Sequence, residues 1–468
     1  MKTNNNITRR NFLGRSCAAL GYTTLLSSLV NVRAFAAAAN HSGRSPDDEY
    51  KALVFVLMSG GNDSFNMLIP RGNPEYNEYA ATRSNLAIPQ SDILSINPLV
   101  TDGREFGLHP ALPGLQNLFE NGKLAFVCNI GTLVEPTTKT DFLDGTVQTP
   151  LGLFSHYDQQ QQWQSGRPHE RTNIGWGGRI ADMLQSANGN GQISMNISLN
   201  RINVFQYGQE VVPYVINKQG SIGIEGYGQE YFFNSLRTNA LDTMLEHDYN
   251  DVYKNTYVNT IKTSNDAAIM FQEAVDAVPE FNANFPEYNH LADQLRMVAK
   301  TIAARDTLDF SRQVFFVEIN SFDHHSELLN AHEERMGQVN DALTYFQAVM
   351  DELGVSGQVT TFTVSDFGRT LTSNGNGTDH AWGGNVMVMG GSVNGKNMFG
   401  EYPSLDLNND LILYDRGVVI PTTPTDMYFA ELAKWFGISN SDIHTILPNL
   451  SNFFDMNSGD LPLGFMNI

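Results

Sequence analysis

The sequence predicts an α/β protein, a three-layer α/β/α sandwich with a mainly parallel central sheet. Three observations carry that prediction. Short runs rich in Val, Ile and Phe recur at 52–58, 124–129, 193–199, 314–319, 359–364 and 385–389. They are apolar on both faces, as strands buried between two helical layers must be. Helical periodicity lies between several of them, and the alternation of strand with helix is that of a parallel sheet covered on both sides.

The helices read in order. Leu291, Leu295, Val298 and Ile302 step by 4, 3 and 4. Leu328, His332, Met336, Val339, Leu343, Phe346, Val349 and Leu353 hold one face of a long helix, which Gly354 ends. Ser155 with Asp158 three positions on opens a shorter helix, and Gly166 closes it. Stretches 136–150 and 186–191 are turn-rich and read as surface loops. Residues 203–263 are polar and aromatic without clear periodicity, and are expected to form an insertion or cap on a single domain spanning 40–468.

The chain has 468 residues, 41% hydrophobic and 10% aromatic, enough for a large core and against disorder. A formal charge of −21 argues against a nucleic-acid or anionic-membrane binder. Residues 1–39 hold Lys2, Arg9, Arg10, Arg15 and Arg33 and no acid. The Arg9-Arg10 pair, a weakly apolar stretch from 17 to 32 and the small residues at 36–39 follow the order of a twin-arginine export signal. The expected location is therefore periplasmic or secreted. Cleavage would remove Cys17 and leave Cys128 alone, so no intramolecular disulfide is expected. No later run is long enough to span a membrane.

Chemistry collects after the strands. Asp63 follows the first, Asp323-His324-His325 the fourth, and Asp366 with Arg369 the fifth; Asp379-His380 comes just before the sixth. Sites of open α/β sheets form beyond the carboxyl ends of their strands. Carboxylate with imidazole suits a divalent metal, Zn²⁺ or Mn²⁺ above Mg²⁺ or Ca²⁺. Asp323, His325 and His380 are expected to hold one metal. Asp63 and Asp366 are expected in a second site or around the first. His380 is expected to face the same pocket as Asp323 and Asp366. Each residue also has a plain structural use. Asp63 suits a turn or helix cap, Asp323 or Ser326 could cap the long helix, and Asp366 could pair with Arg369.

The ordered set Leu57-Met58-Ser59-Gly60-Gly61-Asn62-Asp63, Phe154-Ser155-His156-Tyr157-Asp158, Phe322-Asp323-His324-His325, Ser365-Asp366-Phe367-Gly368-Arg369 and Gly377-Thr378-Asp379-His380 resembles domain-of-unknown-function family 1501. The resemblance runs from about residue 50 to 450. It implies a fold similar to the alkaline phosphatase and sulfatase superfamily, with one or two divalent metals at the strand ends and an anionic ester as substrate. It also implies an exported partner of the domain-of-unknown-function 1800 family. The superfamily's nucleophile motif is not recognisable in this chain. Ser155 is the best substitute, at a helix start where anions bind, or it is an ordinary cap. His156 is a comparable ligand or acid, and Arg369 could clamp an anionic oxygen. Two functions stay open: a metal-dependent hydrolase of phosphate or sulfate esters, and a non-catalytic secreted scaffold that keeps the fold.

Overall fold

The computed structural model describes residues 50–247 and 249–468. The export signal read at 1–39 lies outside them. The central sheet has ten strands: β1 (Lys51–Met58), β2 (Leu124–Gly131), β3 (Asn196–Ser198), β4 (Tyr214–Asn217), β5 (Gly220–Ser221), β6 (Arg312–Ile319), β7 (Val359–Ser365), β8 (Gly384–Met389), β9 (Met398–Phe399) and β10 (Thr423–Pro424). Their order is β9-β2-β8-β7-β1-β6-β3-β4-β5, with β10 also against β2.

β1 sits at the centre, parallel to β6 on one side and β7 on the other. All but the first residue of β1 are buried, which explains a strand with no polar face. β8 runs antiparallel between β7 and β2. That reversal decides where His380 lies: the start of an antiparallel strand is at the same sheet edge as the ends of its parallel neighbours.

One face is covered by α1 (Pro113–Glu120), α6 (His290–Ala303) and α7 (Leu328–Glu352), packed side by side. The other carries α2 (His156–Ser165), α3 (Trp176–Leu184) and α8 (Thr425–Phe436). There Trp176 stacks on Phe429 with ring centres 4.6 Å apart, and lies tilted against Phe362 of β7 at 5.8 Å. α7 buries Met336, Val339, Leu343, Phe346 and Val349, the face its periodicity sets. Gly354 follows it at φ +68°, left-handed backbone that favours glycine. The three-layer sandwich read from the sequence is thus the observed architecture.

Two local readings change. Residues 136–150 include a helix, Lys139–Asp144, started by a reciprocal Thr138–Asp141 capping box. Neither Asp323 nor Ser326 caps α7; the position before it is Glu327, with no side-chain cap. The segment 203–263 holds β4, β5, α4 (Phe232–Glu246) and the first half of α5 (Val252–Asp276), so residue 263 falls inside a helix. Cys128 is buried and free, its thiol pushed up to about 12 by burial. Among the described residues no helix is long and apolar enough to cross a membrane.

Candidate metal centre at the sheet edge

Three loops meet at this edge, the ones after β1 and β6 and the one that joins β7 to β8. Close backbone approach brings them together. A Cβ on Gly60, which has φ +117°, would lie 2.5 Å from the amide nitrogen of Asp323. A Cβ on Gly377 would strike the backbone of His325. The segments around Arg369 and His380 pair in antiparallel fashion: Thr370 N donates to Asp379 O at 2.9 Å, and Ala381 N to Gly368 O at 2.9 Å. Thr378 N donates to His324 O at 3.0 Å, tying the same loop to the residues after β6.

His156, Asp323 and His380 present ligand atoms that all lie within 4.8 Å of one another. His325 adds a third imidazole at one corner. Its Nε2 is 3.0 Å from Asp323 Oδ1 and 3.1 Å from His380 Nε2. His380 Nε2 is 3.2 Å from Asp323 Oδ1, and His156 Nε2 is 3.4 Å from Asp323 Oδ2.

The other ring nitrogen of each histidine faces an acceptor. His156 Nδ1 meets Asp366 Oδ2 at 2.7 Å, His325 Nδ1 meets Asp379 Oδ1 at 3.1 Å, and His380 Nδ1 meets Phe154 O at 2.8 Å. A carbonyl or carboxylate oxygen only accepts, so the acceptor at each Nδ1 favours the tautomer that carries its proton there. In that tautomer a neutral ring presents its Nε2 lone pair to the centre, the form in which imidazole ligates a metal. The Nε2 atoms of His325 and His380 lie 3.1 Å apart.

The spacings among His325, His380 and Asp323, and between His156 and Asp323, suit a metal ion. A tetrahedron with bonds of about 2.0–2.1 Å has edges of about 3.3–3.4 Å. Three imidazoles and one carboxylate are a donor set for Zn²⁺ or a similar divalent ion. Behind this cluster, Asp366 is fully buried and accepts from both His156 and Gln160 Nε2, the latter at 3.0 Å. This is the carboxylate–histidine arrangement that orients metal ligands. Phe367 lies 4.8 Å from the His156 ring and 4.6 Å from the His380 ring, centre to centre, and holds both in place.

Electrostatics follow from these contacts. The hydrogen bond to Asp366 raises the His156 pKa. Burial pushes the Asp323 carboxyl up, but Arg369, His325 and His156 outweigh it and hold the group below its usual range. The site and its surround hold three carboxylates, Asp323, Asp366 and Asp379, and two guanidiniums, Arg369 on Asp323 and Arg416 on Asp379. A bound divalent cation would turn the pocket net positive and favourable to an anion.

The residues singled out from the sequence divide in three. Asp323, His325, His380 and His156 converge, and Asp366 stands directly behind His156. Asp63 is not among them. It is fully buried and bonded to Arg83, the last residue of the helix Glu75–Arg83. Ser155 and Arg369 have structural tasks. Ser155 caps α2, its side chain accepting from Asp158 N. Arg369 does not pair with Asp366; it bonds Asp323 Oδ1 at 2.6 Å and Thr378 and Gly60 besides, fully buried. It holds the Asp323 carboxylate in place and has no donor facing outward to clamp an anion.

Gln160 escaped the sequence reading, and Asp379 and Ser59 were noted there without these partners. Gln160 is four positions after His156, on the same helix face, and it reaches both Asp366 and Ser59 Oγ. That spacing was the available signal. Nothing local marks Asp379 as the partner of His325, because they are joined only by the loop contact.

Several solved structures resemble the chain at low identity. Ps i-CgsB in complex with k-i-k-neocarrahexaose matches with a TM-score of 0.34 and 11% identity, covering 86% of this chain and 77% of that one. The PsFucS1 sulfatase from Pseudoalteromonas sp. gives a TM-score of 0.33 at 10% identity, over 88% and 72%. A mutant of the alkaline phosphatase PafA gives 0.26 at 11%, over 69% and 64%. No curated protein matches the sequence. The pattern of the family described as "Protein of unknown function (DUF1501)" matches residues 50–447, and the chain belongs to that family.

Proposed function

We propose that this is an exported, metal-dependent hydrolase of phosphate or sulfate esters. The observation that carries the reading is the convergence of three histidine Nε2 atoms on Asp323 while every Nδ1 is held by an acceptor. His156, His325, His380 and Asp323 would hold one divalent cation, Zn²⁺ or Mn²⁺ by its donor set. Bound there, the cation supplies Lewis acidity toward the ester oxygens. Asp366 and Asp379 keep their imidazoles in the ligating tautomer, and Arg369 fixes the carboxylate of Asp323. Water is the nucleophile in this reading, because Ser155 Oγ is engaged in capping α2.

One observation favours the scaffold reading instead. Arg369 directs its donors into the protein, so the guanidinium touching Asp323 is not free to grip an ester anion. The test has two readouts. Protein purified from the cell envelope is analysed for metal and titrated with Zn²⁺ and Mn²⁺, then assayed with aryl phosphates and aryl sulfates. Stoichiometric metal and ester cleavage lost in Asp323→Asn support the hydrolase. Metal without cleavage favours the scaffold, and no metal uptake at all removes both the centre and the hydrolase. Export is checked by sequencing the amino terminus of the envelope form, with cleavage expected after Ala38 or Ala39.

A further inference from the structure

Four protein ligands fill a tetrahedral centre, yet a centre that acts on an ester needs a position open to it. One of the four must give way, and their supports are unequal. His156, Asp323 and His380 are the three whose ligand atoms all lie within 4.8 Å of one another. His325 is not of that group. Its Nε2 stands at one corner, 3.0 Å from Asp323 Oδ1 and 3.1 Å from His380 Nε2.

The three are held from behind by buried or main-chain partners. His156 Nδ1 is 2.7 Å from Asp366, whose side chain is fully buried. His380 Nδ1 is 2.8 Å from the main-chain oxygen of Phe154, and its backbone pairs with the Arg369 segment. Asp323 Oδ1 accepts at 2.6 Å from Arg369, itself fully buried. His325 instead rests on Asp379, a carboxylate 39% exposed, across a longer 3.1 Å. It shares that partner. Asn374 Nδ2 donates to the same Oδ1 at 3.1 Å, and Arg416 takes Oδ2 at 2.6 Å. A carboxylate behind a ligating histidine raises its basicity. Arg416 offsets that charge at Asp379, whereas Asp366 bonds His156 and the neutral Gln160. The His325 side chain is also the most open of the three imidazoles, 46% exposed against 34% for His156 and 25% for His380. His156 lies in α2 and His380 in the paired segment before β8, but His325 sits on the loop from β6 to α7. Rotation of its side chain into solvent disturbs no helix or strand.

We propose that His325 is the exchangeable ligand. His156, Asp323 and His380 keep the cation, and the tetrahedral oxyanion of the ester enters at the corner that His325 vacates. The inference rests on the metal centre proposed above. Asn374 and Arg416 are then positioning residues, because they weaken the hold of Asp379 on His325.

Calorimetric titration with Zn²⁺ tests the unequal hold. His325→Ala should still take up the metal with affinity lowered about 10-fold, whereas His156→Ala and His380→Ala should lose more than about 100-fold. The Co²⁺-loaded protein then reports its ligands through visible absorption. Wild type and His325→Ala should differ without anion and converge when inorganic phosphate, or sulfate in a parallel titration, is in excess. The anion should also bind metal-loaded His325→Ala several-fold more tightly than wild type, because it has no imidazole to displace. Convergence with one anion alone supports the proposal and names that anion. A His325→Ala protein of native circular dichroism that loses Zn²⁺ as completely as His380→Ala would overturn it. So would a wild-type Co²⁺ spectrum that neither anion changes. Wild-type protein that takes up no metal would remove the centre itself, and this inference with it.

Discussion

Two groups in this molecule are built from the same parts. Each has three histidines, an aspartate and an arginine. At the sheet edge, His156, His325 and His380 gather around Asp323, which Arg369 holds. In the interior, His109, His324 and His332 lie near the Asp63–Arg83 pair, with ring centres 5.4 Å apart for His109 and His332 and 6.0 Å for His324 and His332. The first group turns its ring nitrogens toward one point. The second packs its rings edge to face, and its aspartate is engaged by its arginine. Among the described residues only the first makes a group with metal-ligand spacing. Composition alone therefore does not make a metal centre. What differs is what holds the far nitrogen of each ring and whether the carboxylate is left facing them.

The sharpest way to break the comparison is to remove the shared carboxylate from each group. Asp323→Ala should abolish metal binding, read by calorimetric titration with Zn²⁺, and should also lower the stability of the metal-free protein, because it leaves the buried Arg369 without its carboxylate. Asp63→Ala should lower stability alone. It leaves Arg83 buried and unpaired, which costs about 3–5 kcal/mol of stability, read from urea unfolding. The molecules that stay folded should bind metal as before. If Asp63→Ala abolishes metal binding in folded protein, the division between the two groups is wrong.

A weaker perturbation grades the first group. Asp366→Asn keeps the shape beside His156 but gives up the charge that fixes its tautomer. Metal affinity should fall about 10- to 100-fold, the usual consequence of losing a partner behind a ligating histidine. Gln160→Ala, which removes only one of the hydrogen bonds on Asp366, should fall by less. An equal loss in both variants would mean that α2 has shifted, and that the Asp366 charge is not what matters.

The comparison also shows what a sequence can say. The strands were legible because β1, β6 and β7 are buried on both faces and therefore carry unbroken apolar runs. Placing Asp323, His325, Asp366 and His380 at one edge followed from those runs. The fate of Asp63 did not. Its partner is twenty positions along, at the end of a helix with no marker for that pairing, and it occupies the same strand-end position as the true cluster members. Arg369 misled for a similar reason. Asp366 is three residues away and looked like its partner, but the antiparallel pairing with the His380 segment turns Arg369 toward Asp323 and leaves Asp366 to α2. Side-chain partners set by contacts between loops are invisible to periodicity.

The smallest effect concerns protons in the interior group. Burial depresses the His109 pKa from 6.5 to about 4. Its Nδ1 accepts a hydrogen bond from Ala111 N at 3.1 Å, which only the unprotonated nitrogen can do. In the unfolded chain the same imidazole takes up a proton near its ordinary value of about 6.5. Between roughly pH 6.5 and 4 the unfolded state therefore binds more protons than the folded state, and stability falls as the pH falls. Above that window the contribution is fully present. His332, buried beside it, is displaced in the same direction by burial. Urea midpoints measured at pH 7 and pH 5 on metal-free protein should show the loss. His109→Gln, which keeps an acceptor without a titrating ring, should shrink the difference between the two pH values. If it leaves the difference unchanged, the acid sensitivity arises elsewhere, and the interior histidines are inert packing at every pH the protein meets.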